Sequence, residues 1–176
     1  MSDLGCTIDK SQMSGMKYCT PIFDLIEENG IIKLHAPHWV NVAVYHRDYK
    51  HWVMAKEHRH GINKDVEEFM SGTVEEGETA KAAALRELKE EFGYDIIKNV
   101  VRIEQLYEEN VNPAFMDNKI TGFYIEVEGD PGDTNFDEDE NVSSKLHASP
   151  FFVNNGIISK FTFCKLKELG LYKKID

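Results

Sequence analysis

Glu87, Glu90 and Glu91 occupy the positions i, i+3 and i+4 of the stretch AKAAALRELKEEFG. In a helix, all three carboxylates project from one face. Like charges so placed repel by about 0.2–0.5 kcal/mol per pair, and a sequence shaped by stability alone would interleave lysines. Adjacent carboxylates suit a hard divalent cation such as Mg²⁺, which takes oxygen ligands at about 2.0–2.1 Å. Arg86 precedes Glu90 by four positions, so its guanidinium can hold one carboxylate in a charge-assisted fork. On the helix alone, a solvated acidic face is the commoner explanation.

The elements that must position these groups are readable in outline. The helix spans about residues 79–92, rich in Ala, Leu, Glu, Lys and Arg. Ala84, Leu85, Leu88 and Phe92 form its apolar stripe, and Gly93 stands where a C′ glycine ends a helix. Before it come short apolar runs at 22–26 and 31–34, separated by Asn29-Gly30, a hairpin signal. Val40, Val42 and Val44 alternate with Asn41 and Ala43, which is strand periodicity. A turn at 47–50 leads to a return strand at 52–55. Further strands are expected at 100–107 and 123–127. Ser149-Pro150 reads as the N-cap and N1 of a helix stopped by Gly156, and Ser159 to Leu169 as a last helix closed by Gly170. Strands, a helix, more strands and then helices imply an α+β or layered αβα domain.

The chain has 176 residues, of which 31 are acidic and 20 basic, a formal net charge of −11. Its length fits one domain, and 41% apolar residues are those of a globular chain. The acidic balance argues against nucleic acid, whose phosphates are bound by excess Lys and Arg, and at first sight disfavours any phosphate-bearing ligand. No run approaches the ~18 apolar residues of a membrane helix. The first residues lack the apolar core of a secretory signal. Cys6, Cys19 and Cys164 are odd in number and widely spaced, as reduced cytoplasmic thiols are. Residues 129–141, GDPGDTNFDEDEN, read as an exposed acidic loop, and 1–16 as a frayed start.

The stretch from Gly72 to Tyr94, GTVEEGETAKAAALRELKEEFGY, resembles the Nudix box, G-x5-E-x7-R-E-U-x-E-E-x-G-U with U apolar. Gly72, Glu78, Arg86, Glu87, Leu88, Glu90, Glu91 and Gly93 match. Tyr94 departs, being aromatic where an aliphatic residue is usual. The resemblance implies the Nudix fold: an αβα sandwich around a mixed sheet, with the box as a loop–helix–loop. The chain divides on this reading into an N-terminal β-rich extension, 1–38, and a Nudix hydrolase domain, 39–176.

The rest of the chain is similar to the ADP-sugar pyrophosphatase branch of that family. Glu57-His58-Arg59 stands where the branch has Q/E-x-R, and Glu68-Phe69-Met70-Ser71-Gly72 where it has E-L-P-A-G. Residues 112–119 resemble its N/S-P-G-x-x-x-N/E-K/R segment, with Pro113 near the marker proline. Residues 135–142 resemble its acidic loop, and 149–171 its C-terminal helices. Met70 and Ala114 depart from the branch's proline and glycine at the border of the substrate pocket.

The resemblance implies hydrolysis of the pyrophosphate bond of a nucleoside diphosphate sugar. Mg²⁺ would be the cofactor, or Mn²⁺ in its place. ADP-ribose, giving AMP and ribose 5-phosphate, is the leading substrate. Another NDP-X (GDP-mannose, CDP-choline, a dinucleotide) and a non-catalytic nucleotide sensor are the alternatives. The metal ligands implied are Glu87, Glu90 and Glu91, the Ser71 carbonyl and Glu140. Glu138 is the expected base, and Glu90, Glu91 and Arg86 complete the catalytic set, with Glu78 and Arg86 bracing the box. Arg59 is a candidate phosphate clamp, Glu68 a base or ribose contact, and Pro113 a substrate contact. His35, His38, His58 and His60 read as surface imidazoles, since further zinc ligands are not evident. Tyr18, Phe23 and Tyr107 could stack on a base but suit apolar packing better. A homodimer through strands at about 18–34 and a cytoplasmic location follow from the same likeness. The charge of −11 is then compatible with a phosphate ligand, because metal ions bring positive charge to the site.

Overall fold

In a computed structural model, residues 16–19, 23–28, 30–59, 61–134, 143–147 and 157–173 are described. The expected helix at 149–156, the acidic loop with Glu138 and Glu140, His60 and the side chain of Tyr18 lie outside them.

Ten strands and two helices follow in order: β1 Met16–Cys19, β2 Asp24–Glu28, β3 Ile31–His35, β4 Trp39–His46, β5 His51–Arg59, β6 Lys64–Glu68, β7 Met70–Thr73, α1 Ala80–Phe92, β8 Val100–Asn110, β9 Lys119–Val127, β10 Ser143–His147 and α2 Ile157–Glu168. β1, β2 and β3 form a small antiparallel sheet of their own. Glu28 faces Ile31 across a tight turn in which Gly30 is left-handed, φ 80°, at the hairpin expected between these runs.

The main sheet runs β10-β5-β4-β9-β8, with β6 on β5 and β7 on β4. It is mixed: β4 and β9 pair parallel from Trp39↔Ile120 to His46↔Val127, and the other ladders are antiparallel. β4 is buried along almost its whole length, because both faces are covered. Val40, Val42 and Val44 pack with Ala84, Leu88 and Phe92 of α1. Ala43 and Tyr45 pack with Trp52, Tyr124 and Leu166 on the α2 side. The result is the αβα sandwich of the Nudix fold.

Strands β6, β7 and β10 escaped the pattern reading, and β8 runs past its expected end, for physical reasons. β6, KDVEE, buries only Val66; it is a strand because it pairs with β5, not because its own residues are apolar. β7, MSGT, is short and held by β4. β8 continues to Asn110 through exposed acidic residues that pair with β9. α2 begins at Ile157, two positions before the expected start. Among the described residues no helix is long and apolar enough to cross a membrane.

Candidate active site

The box is built where β7 hands the chain to α1. Thr79 caps the helix, its hydroxyl accepting from the Ala82 N–H at 3.2 Å. Gly93 closes it in the left-handed region, φ 73°, a conformation that costs a glycine little. Between strand and cap, the Val74 N–H donates to the His38 carbonyl at 2.8 Å and the Glu75 N–H to Glu78 Oε2 at 3.1 Å. These bonds fold the polar loop back against the sheet.

Arg86 is the hub. Its Nε and Nη2 donate to the two oxygens of Glu78, both at 3.2 Å, and Nη2 also to the Thr73 carbonyl at 2.8 Å. Its Nη1 donates to Glu87 Oε1 and Glu90 Oε2, each at 2.9 Å. Burial works against the charged guanidinium, but its bonds to Glu78, the charge of Glu87 and its bonds to Glu90 and Glu87 outweigh it and hold the pKa above the usual arginine value. The same bonds from Arg86 hold the Glu78 carboxyl below the usual range.

The carboxylates meet different surroundings. Glu91 is buried, 6% exposed. Glu87 is mostly covered and Glu90 more open. Glu87 lies directly against Gly72: a Cβ there would fall 2.1 Å from its Oε1. The glycine leaves the room that this carboxylate occupies. Helical spacing alone put the acidic trio on one face; the fold grades it from buried to open.

A cleft of about 380 Å³ opens beside this junction. Ser71, Gly72 and Thr73 form one side, Arg59 and Glu68 another, and Trp39, Ile120 and Ile157 give it apolar walls. The structure thus brings Arg59, Glu68 and Ser71 together with the box. Arg59 Nε donates to Glu68 at 2.5 Å, Nη2 pairs with the same carboxylate, and Nη1 donates to Glu57 at 3.0 Å. Glu68 is in the first place the partner of Arg59. Pro113 is exposed on the β8–β9 loop and does not line this cleft.

The histidines have local partners. His35 pairs with Asp117 at 2.6 Å, His58 with Asp65 at 2.9 Å, and His38 Nδ1 accepts from the Lys119 N–H at 2.8 Å. Tyr107 is buried in the α2 interface, edge-on to Phe161, in keeping with packing. Pattern reading overlooked Asn41 and Thr162. Asn41 lines the cleft and is 1% exposed. Its one signal was a polar amide in a run of valines and alanine.

A hard divalent ion suits the chemistry of the donors here: carboxylate oxygens of Glu87, Glu90 and Glu91, and the backbone oxygen of Ser71. Arg86 gathers Glu87 and Glu90 onto one nitrogen, and the bare Cα of Gly72, which lines the cleft, leaves room for the Glu87 carboxylate beside it. Among the described residues, no three acidic, His or Cys side chains are already converged as a metal cage. The donors fit, and Glu87 and Glu90 are at present partnered by Arg86.

Known proteins agree with this geometry. The NUDIX domain family matches residues 37–150. Over 78 residues, 44% of this chain, the sequence is 35% identical to Putative nudix hydrolase 2 of Caenorhabditis elegans, and the match spans 34% of that protein. The chain thus spans about a third of the length of that curated relative. The crystal structure of an ADP compounds hydrolase is similar in fold, with a TM-score of 0.59 at 19% identity, covering 89% of this chain and 93% of that one. A box whose arginine, glutamates and glycine are locked together at a cleft, within a matched span of more than half the sequence, shows that the chain belongs to the Nudix family.

Proposed function

We propose that the protein is a Nudix hydrolase that splits the pyrophosphate bond of a nucleoside diphosphate sugar in the presence of Mg²⁺ or Mn²⁺, with ADP-ribose, giving AMP and ribose 5-phosphate, as its leading substrate. The observation that carries this reading is the Glu87 carboxylate seated on Gly72 at the cleft edge and tied to Glu90 through Arg86. The ADP compounds hydrolase of like fold is named for the same class of substrate.

A phosphoanhydride resists water because its anionic oxygens repel nucleophiles, so catalysis needs charge neutralisation, a placed water and a base. A divalent ion held by Glu87, Glu90, Glu91 and the Ser71 carbonyl would supply the neutralisation. Arg86 holds Glu87 and Glu90 in place. Arg59 faces the cleft with five N–H donors, three of them directed at Glu57 and Glu68; the others suit the substrate phosphates. Glu68 holds the fork in place. A carboxylate takes the proton of the attacking water as the oxygen joins phosphorus and the bridging oxygen departs with the other phosphate. Glu138 fills that role by resemblance, with Glu140 near the metal. Trp39, Ile120 and Ile157 give an apolar wall on which a sugar or base can rest.

The N-terminal sheet carries Ile31 and Ile32 at 58% and 52% exposure, which supports the expected homodimer through that sheet; a monomer mass by light scattering at micromolar concentration would break it. The function is tested with a panel of ADP-, GDP-, CDP- and UDP-linked substrates, Mg²⁺ and Mn²⁺, and the released nucleotide monophosphate as readout. ADP-ribose is expected to turn over fastest. Turnover of an oxidised dNTP and of no NDP-sugar would overturn the assignment.

A further inference from the structure

We propose that Asn41 and Thr162 are positioning residues for the metal-binding end of β7, joining α2 to Ser71 through a buried chain of neutral hydrogen bonds. The proposal rests on the reading of Ser71, Gly72 and Glu87 as that end of the site. Asn41 on β4 and Thr162 on α2 are 1% and 0% exposed. Thr162 Oγ1 lies 2.6 Å from Asn41 Oδ1 and 2.6 Å from the Tyr107 hydroxyl. Asn41 Nδ2 lies 2.8 Å from Ser71 Oγ, with the Phe69 and Met70 carbonyls at 3.5 and 3.4 Å.

Donor chemistry gives the chain one direction. The amide nitrogen of Asn41 has carbonyl and hydroxyl oxygens around it and must donate. Its oxygen therefore accepts, and the Thr162 hydroxyl is the donor. Thr162 Oγ1 in turn accepts from the Tyr107 O–H, and burial raises the pKa of that phenol, keeping its proton. The Ser71 hydroxyl is left to donate to the Phe69 carbonyl at 3.3 Å. Both ends of the Asn41 amide are committed to the protein, so it acts on the site through β7 although it lines the cleft.

The consequence lies in what each end carries. β7 is four residues long and pairs with β4 from Trp39↔Thr73 to Val42↔Met70. Its Gly72 bears the Glu87 carboxylate, and its Ser71 offers the carbonyl. α2 contributes Ile157, Ile158 and Ser159 to the same cleft, one turn before Thr162. One set of bonds thus fixes the apolar wall and the metal edge of the cleft relative to each other. A buried amide that loses its hydroxyl partner must turn or move, and the Ser71–Gly72 backbone moves with it.

The test uses the full chain and reads Mn²⁺ binding by electron paramagnetic resonance, together with thermal unfolding. Thr162→Val, which keeps the shape and removes the hydroxyl, is expected to weaken Mn²⁺ binding about tenfold, as loss of groups that orient metal ligands does. Thr162→Ser, which restores the hydroxyl, should return binding to within about twofold of wild type. In steady-state assays, kcat and the Mg²⁺ needed for half-activation should change in Thr162→Val more than KM. A folded Thr162→Val protein that binds Mn²⁺ like wild type overturns the proposal, as does a Thr162→Ser protein as impaired as Thr162→Val. If Thr162→Val does not fold, Ser71→Ala decides: it keeps the carbonyl and cuts the last link, and unchanged Mn²⁺ binding there overturns the proposal. A wild-type protein that binds Mn²⁺ but hydrolyses no nucleotide would remove the functional reading alone, whereas one that binds no Mn²⁺ would remove both.

Discussion

The two sides of β4 hold polar groups near the core in opposite ways. On the α1 side, Arg86 collects Glu78, Glu87 and Glu90 in an ionic cluster only partly covered from solvent. On the α2 side, Asn41, Thr162 and Tyr107 form a buried chain of neutral hydrogen bonds. The ionic side has long, flexible side chains and net negative charge; it can rearrange when a cation arrives. The neutral side has short side chains and a fixed order of donors and acceptors; it resists rearrangement. β7 lies between them, with Ser71 bonded to one side and Gly72 under the other. On the proposed function, a site that takes up a metal without losing its shape needs one adaptable wall and one rigid wall.

The contrast can be broken most forcefully on the adaptable side. Glu91→Gln keeps the buried volume and removes one charge. Turnover of the best substrate is expected to fall about 100-fold or more, since metal-held charge stabilisation is worth several kcal/mol, while circular dichroism stays that of wild type. Near-normal kinetics would show that the box is not the reactive centre.

Gly72→Ala comes next. The new methyl would sit 2.1 Å from Glu87 Oε1. The obstacle is the end of a movable side chain, so the fold should survive with a Tm a few degrees lower, while activity falls about 10–100-fold as the carboxylate is displaced. A large loss of stability with activity retained per folded molecule would mean that the adaptable wall is rigid after all.

Arg86→Lys keeps the charge but loses the fork that reaches three carboxylates. We expect a loss of about 1–3 kcal/mol in urea unfolding, the range for hydrogen bonds to charged groups, and a larger apparent Mg²⁺ requirement. Wild-type stability would indicate that the cluster is held by its backbone alone.

The smallest effect is on pH dependence. Glu78 has a folded pKa below its unfolded value of about 4.3, so its stabilisation is present above that value and is lost as pH falls through the lowered native pKa. Thermal melts of wild type and Glu78→Gln should differ at neutral pH and converge in acid. A constant gap across pH 3 to 7 would assign the difference to packing instead.

The box was legible because its chemistry is local. Residues 72–93 specify a capped helix, and the helical period alone sets Arg86 within reach of Glu90. The strands at 40–44 and 123–127 were legible from alternation. β6 was not, because KDVEE becomes a strand only by pairing with β5. The partner of Arg59 was not legible either, since that pairing sets Glu68 opposite Ala55 and the two side chains meet by reaching along the strands.

By itself the sequence determined the family, the helix and the order of its acids, since those follow from spacings of a few residues and the geometry of one helix. The tertiary structure alone decided which glutamate is buried, that Gly72 carries Glu87, and that Asn41 meets Thr162 across 121 positions. Contacts of that range form only when both faces of the sheet are covered, because the burial that drives them has no short-range signature in the chain.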